Sequence, residues 1–250
     1  MLTAVESGVI LELLEMTWHE VEKYLESRKA IIIPVGSIAQ HSLSLPLGTD
    51  SYIAEKIALE VGNRTFTIVV PCIKFGLSMV PHMAFTGTVT VRPETLQKLI
   101  EDTVRSLYLH GFRQFLMVNG HGLNEASIIC AFQNLCFELP GVSYYSVAWW
   151  DIKKVQSLRT VYFSSSGHAT AEEVSMMLYL YEKMVKKEHF EKHNPPYTYF
   201  TSLDKTRAYT STGVINGDQG EADKELGRQL FNEAVQGYIQ MLNDLISSDQ

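Results

Sequence analysis

Three histidines and several carboxylates in this chain stand just past apolar runs, where a folded sheet would gather them. His41 and Asp50 follow the run Ile31–Ile32–Ile33–Pro34–Val35 and a turn at Gly36. His121 follows Phe115–Leu116–Met117–Val118, and His168 precedes a helical pattern bearing Glu172 and Glu173. In an open α/β sheet, ligands collect beyond the carboxyl ends of the strands. Imidazole and carboxylate together suit zinc, manganese or iron, with one coordination position left for water in a catalytic site. A bound divalent ion makes that water more acidic and polarises a carbonyl, enough to hydrolyse an amide without a nucleophilic side chain.

Each residue also has a purely structural reading. Asp50 could cap the helix that follows it. Asn119-Gly120-His121-Gly122 could be a glycine turn with His121 incidental. Thr170-Ala171-Glu172-Glu173 satisfies the T-x-x-E capping pattern, so Glu173 could close a capping box. His82, beside Pro81, could orient a substrate or plug a polar gap. His189 and His193, in the charged run EHFEKH, read as a solvated helix end. No serine or cysteine lies in a G-x-S-x-G elbow, and both glycine-rich phosphate fingerprints are missing.

These groups need elements to position them. Thr17-Trp18-His19-Glu20 predicts a capped helix with Trp18, Val21 and Leu25 on one face. Strand 31–35 is followed by a long loop and a helix over about 51–61. Residues 66–70 and the end of the segment 72–92, at 88–91, read as strands. Pro93 opens a helix that ends near Gly111. Strand 115–118, helix 124–135, strand 142–149, a helix from Thr170 and a last helix over about 221–245 complete the pattern. The stretch after Trp149 reads as irregular, and 188–220 as loop or lid. Strands alternating with helices predict a mainly parallel sheet covered on both faces. One domain over residues 1–250 is expected.

The chain of 250 residues has 46% hydrophobic and 20% charged residues and a formal net charge of -7, which argues against a nucleic-acid surface. No apolar run approaches the roughly 20 residues of a membrane span. The opening MLTAVESGVILELLEM is acidic and lacks a basic n-region, so a cytoplasmic chain is expected. Cys72, Cys130 and Cys136, with no C-x-x-C spacing, are expected as buried reduced thiols.

Several longer motifs in order resemble the creatininase (creatinine amidohydrolase) family over about residues 12–245. Pro34-Val35-Gly36-Ser37-Ile38-Ala39-Gln40-His41 and Leu45-Pro46-Leu47-Gly48-Thr49-Asp50 resemble its P-x-G-S-x-E-Q-H-G-x-H-L-P-L-x-T-D. The run from Gly76 to Thr88, with Ser78, His82 and Phe85, resembles G-x-S-x-E-H-x-x-F-P-G-T. Asn119-Gly120-His121-Gly122-Leu123-Asn124 is similar to N-G-H-G-G-N, and His168-Ala169 with Glu173 and Ser175 to H-A-G-x-x-E-T-S. The resemblance implies a three-layer α/β/α fold and a site for two divalent metals. Asp50 would bridge them, with His41 and His121 each binding one, and His168 would handle a proton or orient substrate. It also implies hydrolysis of non-peptide C–N bonds and a homo-oligomer, often a hexamer.

Four positions depart from the family pattern. Its ligand glutamate is Ala39 here, its glycine and histidine are Ser42 and Ser44, and the carboxylate of creatininase proper is Leu123. Losing the ligand glutamate at Ala39 predicts one tight divalent metal (zinc, manganese or iron), held by His41 and Asp50 with Glu173 or His121, and at most a second weak ion. His168 and Glu173 are the expected catalytic residues. His82, Trp149 and Asn124 are expected to contact a small-molecule substrate other than creatinine, with Trp150 and Tyr197 as further stacking surfaces. Because of Ala39, a non-catalytic binding or scaffold subunit is the alternative, and a lyase or isomerase a third.

Overall fold

Strand β1 (Ala30–Val35) is buried at every position, as a strand covered on both faces must be. In this computed structural model, which describes residues 11–193 and 202–247, β1 lies between β2 (Ile68–Val69) and β3 (Gln114–Asn119). β4 (Ser143–Ala148) flanks β3, and all three pairings are parallel. The register sets Val35 opposite Asn119 and Asn119 opposite Ala148. Three strands therefore end level, and the loops beginning at Gly36, Gly120 and Trp149 open on one edge.

Alternate side chains on each strand serve opposite layers. Ile31, Ile33, Val35, Phe115 and Met117 share a core with Ile100 and Val104 of α3 (Pro93–His110) and Ile128 and Phe132 of α4 (Asn124–Glu138). Helix α1 (Trp18–Leu25) leans on that face through Val21 and Leu25, behind a complete Thr17–Glu20 capping box. On the other face, Ala30, Ile32, Leu116 and Val118 meet α2 (Thr49–Thr65), α5 (Lys153–Tyr162), α6 (Ala171–Tyr181) and α8 (Lys224–Ser247). This is the three-layer α/β/α arrangement anticipated from the sequence. Among the described residues, no helix is long and apolar enough to cross a membrane.

Several local expectations change. Phe66 adopts the left-handed C-cap of α2 at φ 53°, which shortens β2 to two residues. Residues 88–91 form no strand, only an isolated bridge between Val89 and Ile38. The stretch after Trp149 contains α5, and 188–220 contains β5 (Lys192–His193), α7 (Leu203–Tyr209) and β6 (Gly217–Asp218). β5 pairs antiparallel with β6, so His193 belongs to a small ribbon instead of a helix end. All three cysteines are free as expected, but Cys130 and Cys136 are exposed. Tyr197 lies outside the described residues.

Two glycines let the loops press onto the first turn of α2. A Cβ on Gly120 would lie 2.3 Å from the Asp50 carbonyl oxygen, and one on Gly36 would lie 2.4 Å from the Ser51 Cα. Both obstacles are backbone and cannot swing away. Gly120→Ala is therefore expected to destabilise the fold by about 1–3 kcal/mol, as overpacking does, read from the denaturant midpoint. An unchanged midpoint would mean that the contact is not tight.

Candidate metal centre

Asp50 is the second residue of α2, whose N-cap is Gly48, and the carboxylate is buried. It does not cap the helix. Its Oδ1 lies 2.9 Å from His41 Nε2, and its Oδ2 lies 2.8 Å from His121 Nδ1. The other nitrogen of each ring is already engaged: His41 Nδ1 is 3.0 Å from the Ala39 carbonyl oxygen, and His121 Nε2 is 3.0 Å from that of Leu77. A carbonyl only accepts, so these nitrogens carry the protons and donate. In a neutral ring the remaining nitrogen is then a bare lone pair. Two lone pairs facing one carboxylate need a cation between them, whether a proton or a metal.

The angles favour a third point over a direct bond. His41 Nε2 and Asp50 Oδ2 are buried without a hydrogen bond of acceptable geometry, despite neighbours under 3 Å away. His41 Nε2 also lies 3.5 Å from Glu173 Oε1. Two ligands bonded at about 2.1 Å to one tetrahedral ion would stand about 3.4 Å apart. The donor set thus fits a divalent ion of the zinc or manganese kind.

Glu173 is the third residue of α6, and its N-cap Thr170 makes no side-chain capping bond. Glu173 Oε2 accepts from the Ala169 N–H at 2.6 Å, one residue before the cap, which leaves Oε1 for His41. The capping-box reading is therefore only half realised. His168 Nε2 donates to the Gln40 carbonyl at 2.6 Å, and its ring centroid is 4.4 Å from those of both His41 and His82. His41, His168 and Glu173 each present a ligand atom within 4.8 Å of the others, so His168 stands among the candidate ligands as well as the proton carriers.

Charge in the cluster is unevenly shared. Burial opposes the protonation of His41, but the Asp50 and Glu173 carboxylates prevail and hold its pKa well above the ordinary value. Burial opposes the ionisation of Asp50, yet His41 and His121 keep its carboxyl well below the usual range. Glu173 is likewise lowered, because His41 outweighs burial. Burial and then the charge on His41 push His168 down to about 4. His82 is held well below its ordinary value by burial and then by His168 and His121.

Asp50, His121, His168 and Glu173 line a cavity of about 350 Å³ with His82, Trp149, Trp150 and Leu123. His82 is buried with its Nδ1 unpartnered, 5.0 Å from His121 between ring centroids. Trp149 forms a fully buried wall. Asn124 is not on that wall. Its Oδ1 accepts from Leu77 N at 2.9 Å and its Nδ2 donates to Gly36 O at 3.0 Å, so it ties two loops together and leaves no amide end for a substrate. The lining residues Arg159 and Ser166 escaped the sequence reading, and Glu172 was named there without a role of its own. Arg159 lies where no helix was predicted, and Glu172 was masked by its neighbour Glu173.

The family profile described as creatininase, creatinine amidohydrolase, matches residues 14–242. The chain belongs to the creatininase family. The creatinine amidohydrolase of Pseudomonas putida is 26% identical over 250 residues, covering 92% of this chain and 95% of that protein. The mycofactocin precursor peptide peptidase of Mycobacterium tuberculosis is 29% identical over 220 residues, covering 82% and 81%. A solved creatininase with manganese superposes with a TM-score of 0.81 at 24% identity, covering 94% of this chain and 98% of its own. A zinc–zinc creatininase superposes equally well at 22% identity. Creatininase-family membership makes this chain a member of a hydrolase family, and the superpositions confirm its fold.

The raised pKa of His41 means that the metal-free protein carries a proton where an ion would bind. Titrating zinc into metal-free protein at pH 7 is expected to release about one proton per ion. Calorimetry in buffers of different ionisation enthalpy reads this number. The affinity should fall as pH falls, since protons and metal compete for the same nitrogen. Heats that do not depend on the buffer would contradict this account.

Proposed function

We propose that this protein is a metal-dependent amidohydrolase that cleaves a non-peptide C–N bond of a small molecule other than creatinine. The observation that carries this reading is the convergence of His41 Nε2 and Asp50 Oδ2, each buried without a hydrogen bond, with His121 Nδ1 2.8 Å from that oxygen. His41, Asp50 and Glu173 would hold one divalent ion, and His121 with Asp50 a weaker second. The manganese and zinc–zinc forms of creatininase support a divalent metal of that kind. A divalent cation supplies polarisation of the scissile carbonyl and a more acidic water.

This chain's own residues do the rest. His168, 4.4 Å from His41 between ring centroids and on the cavity wall, is the residue assigned to pass a proton to the leaving nitrogen. Its Nε2–H is fixed on Gln40 O, so Nδ1 is the atom that carries that proton. Glu173 keeps one oxygen on the Ala169 N–H, which fixes the other toward His41. Trp149, Trp150 and Leu123 bound the cavity with apolar surface.

A second reading has a specific observation behind it. Ala39 stands where the family resemblance places a ligand glutamate, and its side chain is buried and apolar. That favours a binding subunit without chemistry.

Metal content separates the two. Protein purified without chelators is expected to hold about one equivalent of zinc, manganese or iron per chain by elemental analysis. His41→Ala and Asp50→Ala should lose that ion and all turnover while remaining folded. Protein that takes up no metal from added ions would sink the hydrolase reading. Ala39→Glu is expected to raise the metal content towards two. Self-association is also inferred, since Phe75, Met79 and Met83 expose 55%, 47% and 40% of their surface along one segment. Light scattering should find an oligomer, and a monomer at micromolar concentration would refute it.

A further inference from the structure

We propose that Arg159 reads a carboxylate on the substrate, so that the bond cleaved belongs to a small amide carrying an anionic group near its scissile carbonyl. The proposal rests on the hydrolase reading above and narrows its substrate class. Arg159, from α5, is the one lysine or arginine side chain among the described residues lining the cavity beside the candidate metal centre. Its side chain is 17% exposed, while its partner Glu172 is 2% exposed.

A guanidinium has five N–H donors in a planar fork. Nη1 donates to the Trp150 carbonyl at 3.1 Å, and Nη2 donates to Glu172 Oε1 at 3.1 Å and to Ser166 Oγ. Nε–H has no acceptor in the protein, and one Nη1–H is also left over. The fork is therefore immobilised but not saturated, the condition in which a carboxylate is bound with little further loss of side-chain freedom.

Glu172 does not depend on Arg159 alone. It also accepts from Ser166 Oγ and Thr170 Oγ1, each at 2.6 Å. A ligand sharing the guanidinium would leave that carboxylate with two donors. His82 Nδ1 is a second buried and unpartnered polar atom on the same cavity, an independent sign that the pocket is shaped for a polar occupant. The turn of Gly120, His121, Gly122 and Leu123 opens the 15-residue helix α4 on this cavity, and a helix N-terminus adds a field that favours an anion. Asp50 and Glu173 face the histidines, so they do not offset Arg159 directly.

N-formylglycine and N-formylglycinamide form a matched pair that differs in one charge and fits a cavity of about 350 Å³. Their binding to the metal-loaded protein is measured by calorimetry, and hydrolysis by formate release. The acid is expected to bind at least about tenfold more tightly than the amide, the scale of one charge-assisted hydrogen-bonded contact. That preference should vanish in Arg159→Gln and in the double variant Arg159→Gln/Glu172→Gln, which leaves no buried carboxylate unpaired and so guards against misfolding. Equal binding of the two probes, or binding of neither, would overturn the proposal. So would an acid preference that persists in the double variant, which would assign the carboxylate to the metal. Because binding is read apart from turnover, an Arg159-dependent preference without hydrolysis would count against the hydrolase reading while the assignment of Arg159 to a ligand carboxylate would stand.

Discussion

The structure turns on one buried carboxylate shared by two imidazoles. Asp50 is almost fully buried, with His41 beside one oxygen and His121 beside the other. A buried carboxylate with a single neutral neighbour would take up a proton. Here each histidine is held in place from behind by a carbonyl, Ala39 for one and Leu77 for the other. The protein has fixed the tautomers, and with them the direction of the lone pairs. Ring orientation by an outer hydrogen bond is how metal-ligating histidines are commonly held.

That arrangement is possible only because three chain segments pass each other at backbone contact. Gly36, Gly76 and Gly120 are the points of approach, and a Cβ at any of them would strike main-chain atoms at 2.4 Å or less. Asn124 then bonds the Gly36 carbonyl and the Leu77 N–H at once, so the loop carrying His41 and the loop orienting His121 share one tether. Parallel pairing contributes the rest, since a common register makes three strands end together. The site depends on the fold at the level of backbone spacing as much as of side-chain chemistry.

Much of this was legible in the sequence, for identifiable reasons. Fully apolar strands ending in glycine turns announced a buried parallel sheet, and the residues after those turns supplied His41, Asp50 and His121. The sequence could not show that Asp50 sits one position past the start of α2, because Gly48 is an unremarkable N-cap. It misplaced Asn124, whose amide suits a substrate as well as a backbone tie. It missed α5 altogether, where Ser157, Arg159 and Thr160 obscure the apolar face of Val155 and Leu158, and with α5 it missed Arg159. Residues whose role comes from a distant partner leave little local pattern. Glu172 makes sense only once α5 is packed against it.

The position of Ala39 bears on how many ions such a site can retain. Removing a carboxylate from a two-ion centre leaves Asp50 and Glu173 as the only anions among the candidate ligands, against four cationic charges from two divalent ions. Burial magnifies that imbalance, because solvent cannot screen it. With one ion, two carboxylates and neutral imidazoles balance the charge without help from outside. Ser44, where the family pattern has a histidine, restores nothing, since its hydroxyl is engaged by Ser42 and Gln219 in a buried hydrogen-bonded cluster. Ser42 itself keeps a left-handed backbone at φ 61°, the conformation that the family's glycine would adopt freely. The loop therefore takes the turn that a glycine would allow, with Ala39 in place of the ligand carboxylate that the resemblance implies. A single divalent ion is thus the occupancy that the charge of these candidate ligands would balance.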